Sequence, residues 1–185
     1  MKSFVLRTLD FISFMFSSFF FGLFIKKHDK IIVSSPQFLP VISGFIIAKI
    51  KNIPFILEIR DLWPESIVAL GAMKKNNYMI KILDAIAKYI YRKSELIIVV
   101  TKAFKDKLIN MGINKDKITI IENGFNFDNN LTPNKSIEAI QQEYNISNKN
   151  FTVSYIGTVG MSHGIGVILK SAKLIKDVNF LIIGE

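Results

Sequence analysis

The run from Phe55 to Ser66 changes abruptly from apolar to charged residues. Its first half, Phe-Ile-Leu-Glu-Ile, is typical of a buried strand, and Arg60, Asp61 and Glu65 follow around the only tryptophan, Trp63. Ligands of an open parallel sheet bind outside the carboxyl ends of its strands, so charged residues at this strand end are well placed for acid–base or electrostatic chemistry. The structural alternative is that Asp61 caps the next helix and that Arg60 is its ion-pair partner.

A glycine-rich segment later in the chain could bind a phosphate. Gly157, Gly160, His163 and Gly164 lie between a predicted strand and a predicted helix. Glycines let backbone amides approach a phosphate, and the amino end of a helix adds a partial positive charge. The spacing matches neither a P-loop nor the dinucleotide fingerprint, so a plain tight turn explains the glycines equally well. His163 either donates to a phosphate oxygen or is a solvated side chain.

Alternating strand and helix patterns must position these two segments. Strands are predicted to begin at Lys30, Phe55, Leu96, Ile118, Phe151 and Phe180. Helices are predicted over Val41–Ile50, Tyr78–Lys93, the stretch from Thr101 to Gly112, Ser136–Tyr144 and Ile165–Lys176. Because such alternation requires crossover connections, we predict an α/β fold whose parallel sheet is covered on both faces. Asn123-Gly124 predicts a tight turn after the fourth strand.

Composition limits the classes of function. The 185 residues are 50% hydrophobic, with a mean hydropathy of +0.33 and a net charge of +9. This charge suits an anionic membrane surface, a phosphorylated ligand or nucleic acid. The aromatic residues are not interleaved with the lysines as stacking platforms, which argues against a nucleic-acid partner. The chain has no cysteine and two histidines, so thiolate chemistry is excluded and a histidine metal centre is not expected.

The phenylalanine-rich stretch from Phe4 to Ile25 predicts an apolar helix. Its uncharged part, Phe11 to Ile25, is shorter than the about 20 apolar residues that a membrane span needs. No small-residue cleavage site precedes Lys26 and Lys27, as a secretory signal would require. We therefore expect a buried or membrane-surface helix, with a true span and a signal peptide as the alternatives.

Four segments together resemble one enzyme family. They are Ser34-Ser35-Pro36, the run Glu-Ile-Arg-Asp-Leu-Trp-Pro-Glu-Ser from Glu58, the strand, helix and turn from Leu96 to Gly124, and the loop from Tyr155 to Gly164. They resemble the GT-B glycosyltransferases of family 4, above all the bacterial branch that builds O-antigen and capsule polysaccharide and includes fucosamine transferases. The resemblance implies an acceptor-side domain over 1–128 that lacks its first strand, a connection over 129–150, and the start of a donor-side domain over 151–185.

The resemblance also implies roles for the candidate residues. A sugar, a hexosyl or N-acetylaminosugar unit, would pass from a nucleotide-sugar to a lipid-linked saccharide acceptor. Asp61 would orient the acceptor hydroxyl, Arg60 would offset developing negative charge, and Glu65 would support them. The loop residues Gly157, Gly160, His163 and Gly164 would meet the diphosphate, and Gly184 would pack against the nucleotide base. The nucleotide-sugar is a substrate, and no cofactor or metal is expected.

The family usually binds its donor with a glutamate pair that this sequence does not contain. We therefore expect this chain alone to be inactive, and the alternative function is a non-catalytic, membrane-associated remnant of such an enzyme. The basic helices and the phenylalanine-rich start imply a cytoplasmic protein held peripherally on the inner face of the cell membrane.

Overall fold

Two parallel sheets organise the chain in the computed structural model, which describes residues 4–26, 28–35, 37–69, 71, 73–125, 134–160 and 163–184. One sheet has four strands and the other has two. They belong to separate compact units, Met1–Gly124 and Phe125–Glu185. The predicted α/β class with parallel sheets is confirmed, whereas the division at 1–128, 129–150 and 151–185 stays a prediction.

The elements follow the predicted alternation. The first unit contains α1 Phe4–Phe24, β1 Ile31–Ser34, α2 Phe38–Lys51, β2 Phe55–Ile59, α3 Glu65–Ala69, α4 Tyr78–Lys93, β3 Leu96–Val99, α5 Lys102–Asn110, a 3-10 helix Lys115–Lys117 and β4 Ile118–Ile120. The second unit contains α6 Ile137–Glu143, β5 Phe151–Ile156, α7 Ile165–Leu174 and β6 Val178–Ile183.

Side-chain caps fix where several helices begin. The Asn77 side chain accepts a hydrogen bond from Met79 N at 2.9 Å at the start of α4. The Thr101 hydroxyl accepts one from Phe104 N at 3.2 Å at the start of α5, as the sequence predicts. Each cap satisfies an N–H group that the helix itself leaves without a partner. The β3 strand is therefore followed directly by a helix that returns along the sheet.

The main sheet has the strand order β1-β2-β3-β4, and every neighbouring pair is parallel. Crossovers of one hand in this order put α2, α4 and α5 on the same face. The strand residues of the buried core lie on that face: Phe55, Leu57, Ile59, Ile97, Val99 and Ile118. The opposite face leaves Ile32, Ser34 and Thr119 exposed, although Ile56 is buried. The predicted cover is therefore present on one face and incomplete on the other.

The segment after β4 differs from the prediction. Residues 121–125 adopt neither a turn nor a bend, and Gly124 is not among the glycines with positive φ. The predicted tight turn at Asn123-Gly124 is therefore wrong. The reason is a contact distant in sequence, because the Asn123 side chain bonds to Arg60 at the end of β2.

The first helix packs against the second. The hydroxyl groups of Ser18 and Ser43 lie 3.0 Å apart, and the Lys51 ammonium donates to the Ile25 carbonyl at the other end of the contact. The helix also exposes large apolar side chains: Leu6, Leu9, Phe14, Phe16, Phe20, Phe21 and Phe24. Among the described residues, no helix has the length and apolar character of a membrane span.

Candidate functional site

The carboxyl ends of all four strands of the main sheet meet at one edge. Ser35 follows β1, Arg60 and Asp61 follow β2, Thr101 follows β3, and Asn123 lies three residues after β4. Parallel strands necessarily bring their carboxyl ends together, which is why ligands of such sheets bind there. The sequence prediction that Arg60 and Asp61 lie at this edge is confirmed.

Asp61 is held in place through its backbone. Its N–H donates to the Ser35 carbonyl at 3.3 Å, and the Ser35 hydroxyl donates to the Asp61 carbonyl at 3.2 Å. Ser35 is buried, whereas Asp61 is exposed. The two hydrogen bonds therefore fix the main chain while the carboxylate remains accessible to a ligand. Sequence reasoning did not assign this role to Ser35, which only the pairing of β1 with β2 reveals.

Arg60 reaches across the end of the sheet. Its Nη2 donates to Asn123 Oδ1 at 3.3 Å, which joins the segments that follow β2 and β4. Both side chains are exposed. This contact orients the guanidinium at the edge that also carries Asp61, and it gives Asn123 a positioning role that sequence reasoning missed. The position of Asn123 at this edge could have been predicted, because Asn123 follows a predicted strand whose carboxyl end lies there.

The alternative that Asp61 caps the next helix finds no support. The first backbone bonds of α3 run from Ser66 N to Leu62 O at 3.0 Å and from Ile67 N to Pro64 O at 3.1 Å. Among the described residues, the Asp61 carboxylate has no hydrogen bond to these amides. Arg60 bonds to Asn123 and forms no ion pair with Asp61.

Glu65 contacts a residue distant in sequence, and its predicted role of supporting Arg60 and Asp61 stays a prediction. Its carboxylate forms an ion pair with the Lys107 ammonium, which joins the start of α3 to α5. The side chains are 52% and 43% exposed, so solvent screens the pair and we expect a contribution of at most about 1 kcal/mol. Arg60 and Asp61 are thus both exposed at this edge, and Glu65 joins the helix that follows to α5.

Trp63 connects this loop to the core. Its ring stacks on Phe38, with centroids 6.2 Å apart and planes inclined by 15°. The Tyr91 hydroxyl donates to the Trp63 carbonyl at 3.4 Å. Burial raises the pKa of Tyr91, and the carboxylates of Glu65 and Asp84 raise it further. The phenol is therefore neutral and serves as a hydrogen-bond donor that holds the loop.

The glycine-rich loop lies at the carboxyl end of the second sheet, the position that Arg60 and Asp61 have in the first sheet. Gly157 N donates to Ile183 O at 2.9 Å, where β5 and β6 end. Gly184 lies very close to Gly157. A Cβ added to Gly184 would overlap the Gly157 carbonyl oxygen and lie 2.9 Å from the Gly157 carbonyl carbon. Glycine is required at Gly184 because the two backbones approach closely. The prediction that Gly184 packs against a nucleotide base is not tested by this contact.

The rest of the loop folds back over β5. The Tyr155 hydroxyl donates to the Thr158 carbonyl at 2.8 Å, and the rings of Tyr155 and His163 lie 6.4 Å apart in an edge-to-face arrangement. His163 N donates to Gly160 O at 3.1 Å. The loop thus brings Gly157, Gly160 and His163 to one edge, next to the start of α7.

Helix α7 begins at this loop. Gly164 has a left-handed conformation, with φ 63° and ψ 25°, and precedes the helix without a side-chain cap. Helical amino ends carry partial positive charge and N–H groups that helical bonds leave unsatisfied. The loop can therefore present backbone amides, a helix terminus and an imidazole to an anion. The described residues contain no cluster of His, Asp or Glu that could hold a metal ion.

The comparison with known families identifies the first unit. Residues 3–129 match Glycosyltransferase Family 4. The chain belongs to glycosyltransferase family 4. This match covers the whole main sheet, including Ser35, Arg60, Asp61 and Asn123. The finer prediction, the O-antigen and capsule branch with its fucosamine transferases, stays a prediction. No curated protein matches the sequence.

Solved structures show the same GT-B fold for this family 4 chain. The crystal structure of Anabaena Alr3699/HepE in complex with UDP and glucose is similar with a TM-score of 0.63 and 15% identity, over 93% of this chain and 42% of that one. The same protein in complex with UDP-glucose is similar with a TM-score of 0.58 and 15% identity, over 95% and 52% of the two chains. The chain thus spans about half of the length, or less, of the protein chains that it matches.

Proposed function

We propose that this family 4 chain is part of a glycosyltransferase that moves a hexosyl or N-acetylaminosugar unit from a nucleotide-sugar to a lipid-linked saccharide in surface polysaccharide synthesis. The observation that carries the proposal is the exposed pair Arg60 and Asp61, held at the carboxyl edge of a family 4 sheet by Ser35 and Asn123. A fixed main chain with accessible charged side chains suits the binding of a polar ligand.

The acceptor is proposed to bind at this edge of the first unit. Its attacking hydroxyl donates a hydrogen bond to the Asp61 carboxylate, which orients the oxygen and takes up the hydroxyl proton as the oxygen attacks the anomeric carbon. As the new carbon–oxygen bond forms, the bond to the diphosphate breaks and the nucleoside diphosphate leaves with the electron pair. Arg60 lies next to Asp61 and offsets the negative charge that develops.

The donor diphosphate is proposed to bind the glycine-rich loop. The amides around Gly160 and Gly164 and the start of α7 supply hydrogen bonds and partial positive charge, and His163 supplies a further donor. A solved structure of similar fold is in complex with UDP-glucose, which supports a nucleotide-sugar as the ligand class. The donor is the substrate, and the proposal assigns no cofactor.

The single tryptophan permits a direct test of the acceptor proposal. Trp63 is two residues from Asp61, so its fluorescence should change when a polyprenyl-diphosphate-linked N-acetylglucosamine in detergent binds at this edge. Asp61→Asn should weaken this binding roughly 10- to 100-fold, because a hydrogen bond to a charged group contributes about 1.5–3 kcal/mol. Asp116→Asn, an exposed aspartate in the 3-10 helix, is the matched control. Equal binding by Asp61→Asn and the intact chain would contradict the acceptor site.

Turnover is a separate measurement. The purified chain is mixed with a panel of nucleotide-sugars and the same acceptor, and released nucleoside diphosphate is measured. We expect shifts of the Gly160 and Gly164 amide resonances on donor binding but no sugar transfer by this chain alone. Transfer that depends on Asp61 would show that the expectation of inactivity is wrong. Absence of both donor and acceptor binding would favour the non-catalytic remnant.

We also propose a peripheral location on the inner face of the cell membrane. The net charge of +9 and the exposed phenylalanines of α1 suit a surface with anionic headgroups, where a lipid-linked acceptor lies. Membranes from cells that express the chain should release it on washing with high salt or carbonate. Retention through both washes would argue against a peripheral location.

A further inference from the structure

A cavity lies at the amino end of the main sheet, opposite the candidate site. Residues of α2 and α4 form its walls, and the residues where β2 and β3 begin form its base. Its volume is about 320 Å³, within the range of about 300–1,000 Å³ that small-molecule pockets occupy. Strand β2, about 13 Å long from its first residue to its last, separates this cavity from Arg60 and Asp61.

The cavity does not depend on an edge of the sheet. β2 pairs with β1 and β3, and β3 pairs with β2 and β4, so no further strand can pair with either strand at the base. The two walls also touch, since the rings of Phe45 and Tyr89 lie 5.9 Å apart. Because packed helices lie about 8–10 Å apart, no further helix fits between α2 and α4. The cavity therefore suits a small molecule and not a polypeptide segment.

Much of the lining is aromatic. Phe45 contacts Phe55 at a centroid distance of 5.4 Å and Tyr89 at 5.9 Å, and both pairs are edge to face. Ala48 and Ile53 add aliphatic surface. Edge-to-face and offset stacked arrangements are the ones that aromatic rings prefer, so rings already held in this way offer a fixed surface to one more ring. A flat aromatic group matches this lining.

Two lysines, called the rim lysines below, give the cavity a positive rim. They are Lys49 of α2 and Lys93 of α4, and both are exposed. Among the described residues, neither ammonium has a hydrogen bond or an ion pair. Glu95, the acidic residue of the lining, forms an ion pair with Lys30 at 3.5 Å. Two cations are therefore available to an anion at the rim.

Lysines at the carboxyl ends of helices often serve only to offset the helix dipole. At the end of α4 this role belongs to Lys117, whose ammonium donates to the carbonyls of Arg92 and Ser94 at 2.9 and 2.8 Å. At the end of α2, the backbone N–H of Asn52 donates to two carbonyls of the last turn. Both helix ends thus have donors for their terminal carbonyls without the ammonium of either rim lysine.

We propose that this cavity binds a small aromatic anion, whose ring lies against Phe45 and Tyr89 and whose charged group lies between the rim lysines. The Tyr89 hydroxyl has no hydrogen-bond partner among the described residues and is a further donor to the anion. The proposal does not rest on the transfer reaction, since the cavity and the candidate site lie at opposite ends of β2.

A pair of ligands that differ only in charge tests the proposal. The probe is a fluorinated naphthoate, and its fluorine resonance is followed as the purified chain is added. The control ligand is the corresponding naphthamide, which has the same ring without the charge. We expect saturable binding of the naphthoate, about tenfold tighter than that of the naphthamide, because two exposed cations act on the charge. The amide resonances of Ala48 and Ile53 should shift, whereas that of Asp61 should not.

Methionine variants of the rim lysines locate the site. Lys49→Met and Lys93→Met each remove an ammonium group from an exposed position and keep a long side chain. Each should weaken naphthoate binding about 3- to 5-fold and leave naphthamide binding unchanged. Lys81→Met, at an exposed position of α4 outside the cavity, is the matched control and should bind normally. Equal affinity for the two ligands, normal binding by both rim variants, an equal loss in Lys81→Met, or no saturable binding would overturn the proposal.

Discussion

Replacement of Gly44 by alanine tests how closely α2 approaches β1. An added Cβ would overlap Val33 Cγ2 and lie 3.6 Å from Val33 Cβ and 3.7 Å from Phe55 Cε2. Ordinary carbon–carbon contacts are about 3.5–4.0 Å, so the Cγ2 contact is too close and the helix or the strand must move. The consequence reaches the candidate site, because β1 leads directly to Ser35.

Two opposing terms set the size of the effect. Alanine in a helix interior is about 1 kcal/mol more favourable than glycine. Overpacking a well-packed core costs about 1–3 kcal/mol. Gly44→Ala should therefore lower the free energy of unfolding by up to about 2 kcal/mol. At Gly166, inside α7, an added Cβ has no neighbour within 4 Å, so Gly166→Ala should raise local helix stability by about 1 kcal/mol.

The assay is urea unfolding of a double-mutant cycle, followed by Trp63 fluorescence. Val33→Ala removes the methyl group that an added Cβ would overlap. In that background Gly44→Ala should no longer destabilise, which gives a coupling energy of about 1–3 kcal/mol between the two sites. Equal costs of Gly44→Ala in both backgrounds would refute the reasoning, because the overlap with Val33 would then not be its cause.

Three further outcomes follow from other contacts. Ser35→Ala removes the hydroxyl that bonds to the Asp61 carbonyl, so urea unfolding should show a loss of about 1 kcal/mol and the Trp63 titration should show weaker acceptor binding. Burial raises the pKa of Tyr91, so the unfolded chain loses this proton first, near pH 10. The free energy of unfolding should therefore fall as the pH rises above about 10, and less steeply in Tyr91→Phe. Gly184→Ala should broaden the amide resonances of the glycine-rich loop and destabilise the second unit by about 1–3 kcal/mol, because the new Cβ overlaps a backbone carbonyl.

Local patterns were sufficient to predict most elements. The range of α4, Tyr78–Lys93, agrees with its apolar periodicity at both ends, and the caps at Asn77 and Thr101 act within three residues of their own helices. Such contacts can be predicted from sequence because both partners are close together in the chain. The strand order then follows from short crossovers, which place each strand next to the preceding one.

Contacts at the sheet edge could not be predicted in this way. The bond between Ser35 and Asp61 spans 26 residues, and the bond between Arg60 and Asn123 spans 63. Both depend on the register of neighbouring strands, which local patterns do not specify. The predicted turn at Asn123-Gly124 is wrong for the same reason, because Asn123 makes a contact that is distant in sequence. The local preference of the Asn-Gly pair predicts a turn, whereas the structure has no turn here and the Asn123 side chain accepts a hydrogen bond from Arg60.

The way in which Asp61 is held permits its chemical role to be separated from its structural role. Its contacts to Ser35 involve only backbone atoms of Asp61, and its carboxylate is exposed. Asp61→Asn therefore changes the charge presented to a ligand and leaves both of these hydrogen bonds intact. Ser35→Ala does the reverse, because it removes a hydrogen bond and leaves the carboxylate. Weaker acceptor binding with an unchanged free energy of unfolding in Asp61→Asn would thus assign the effect to the carboxylate, whereas parallel losses of binding and stability would assign it to the fold.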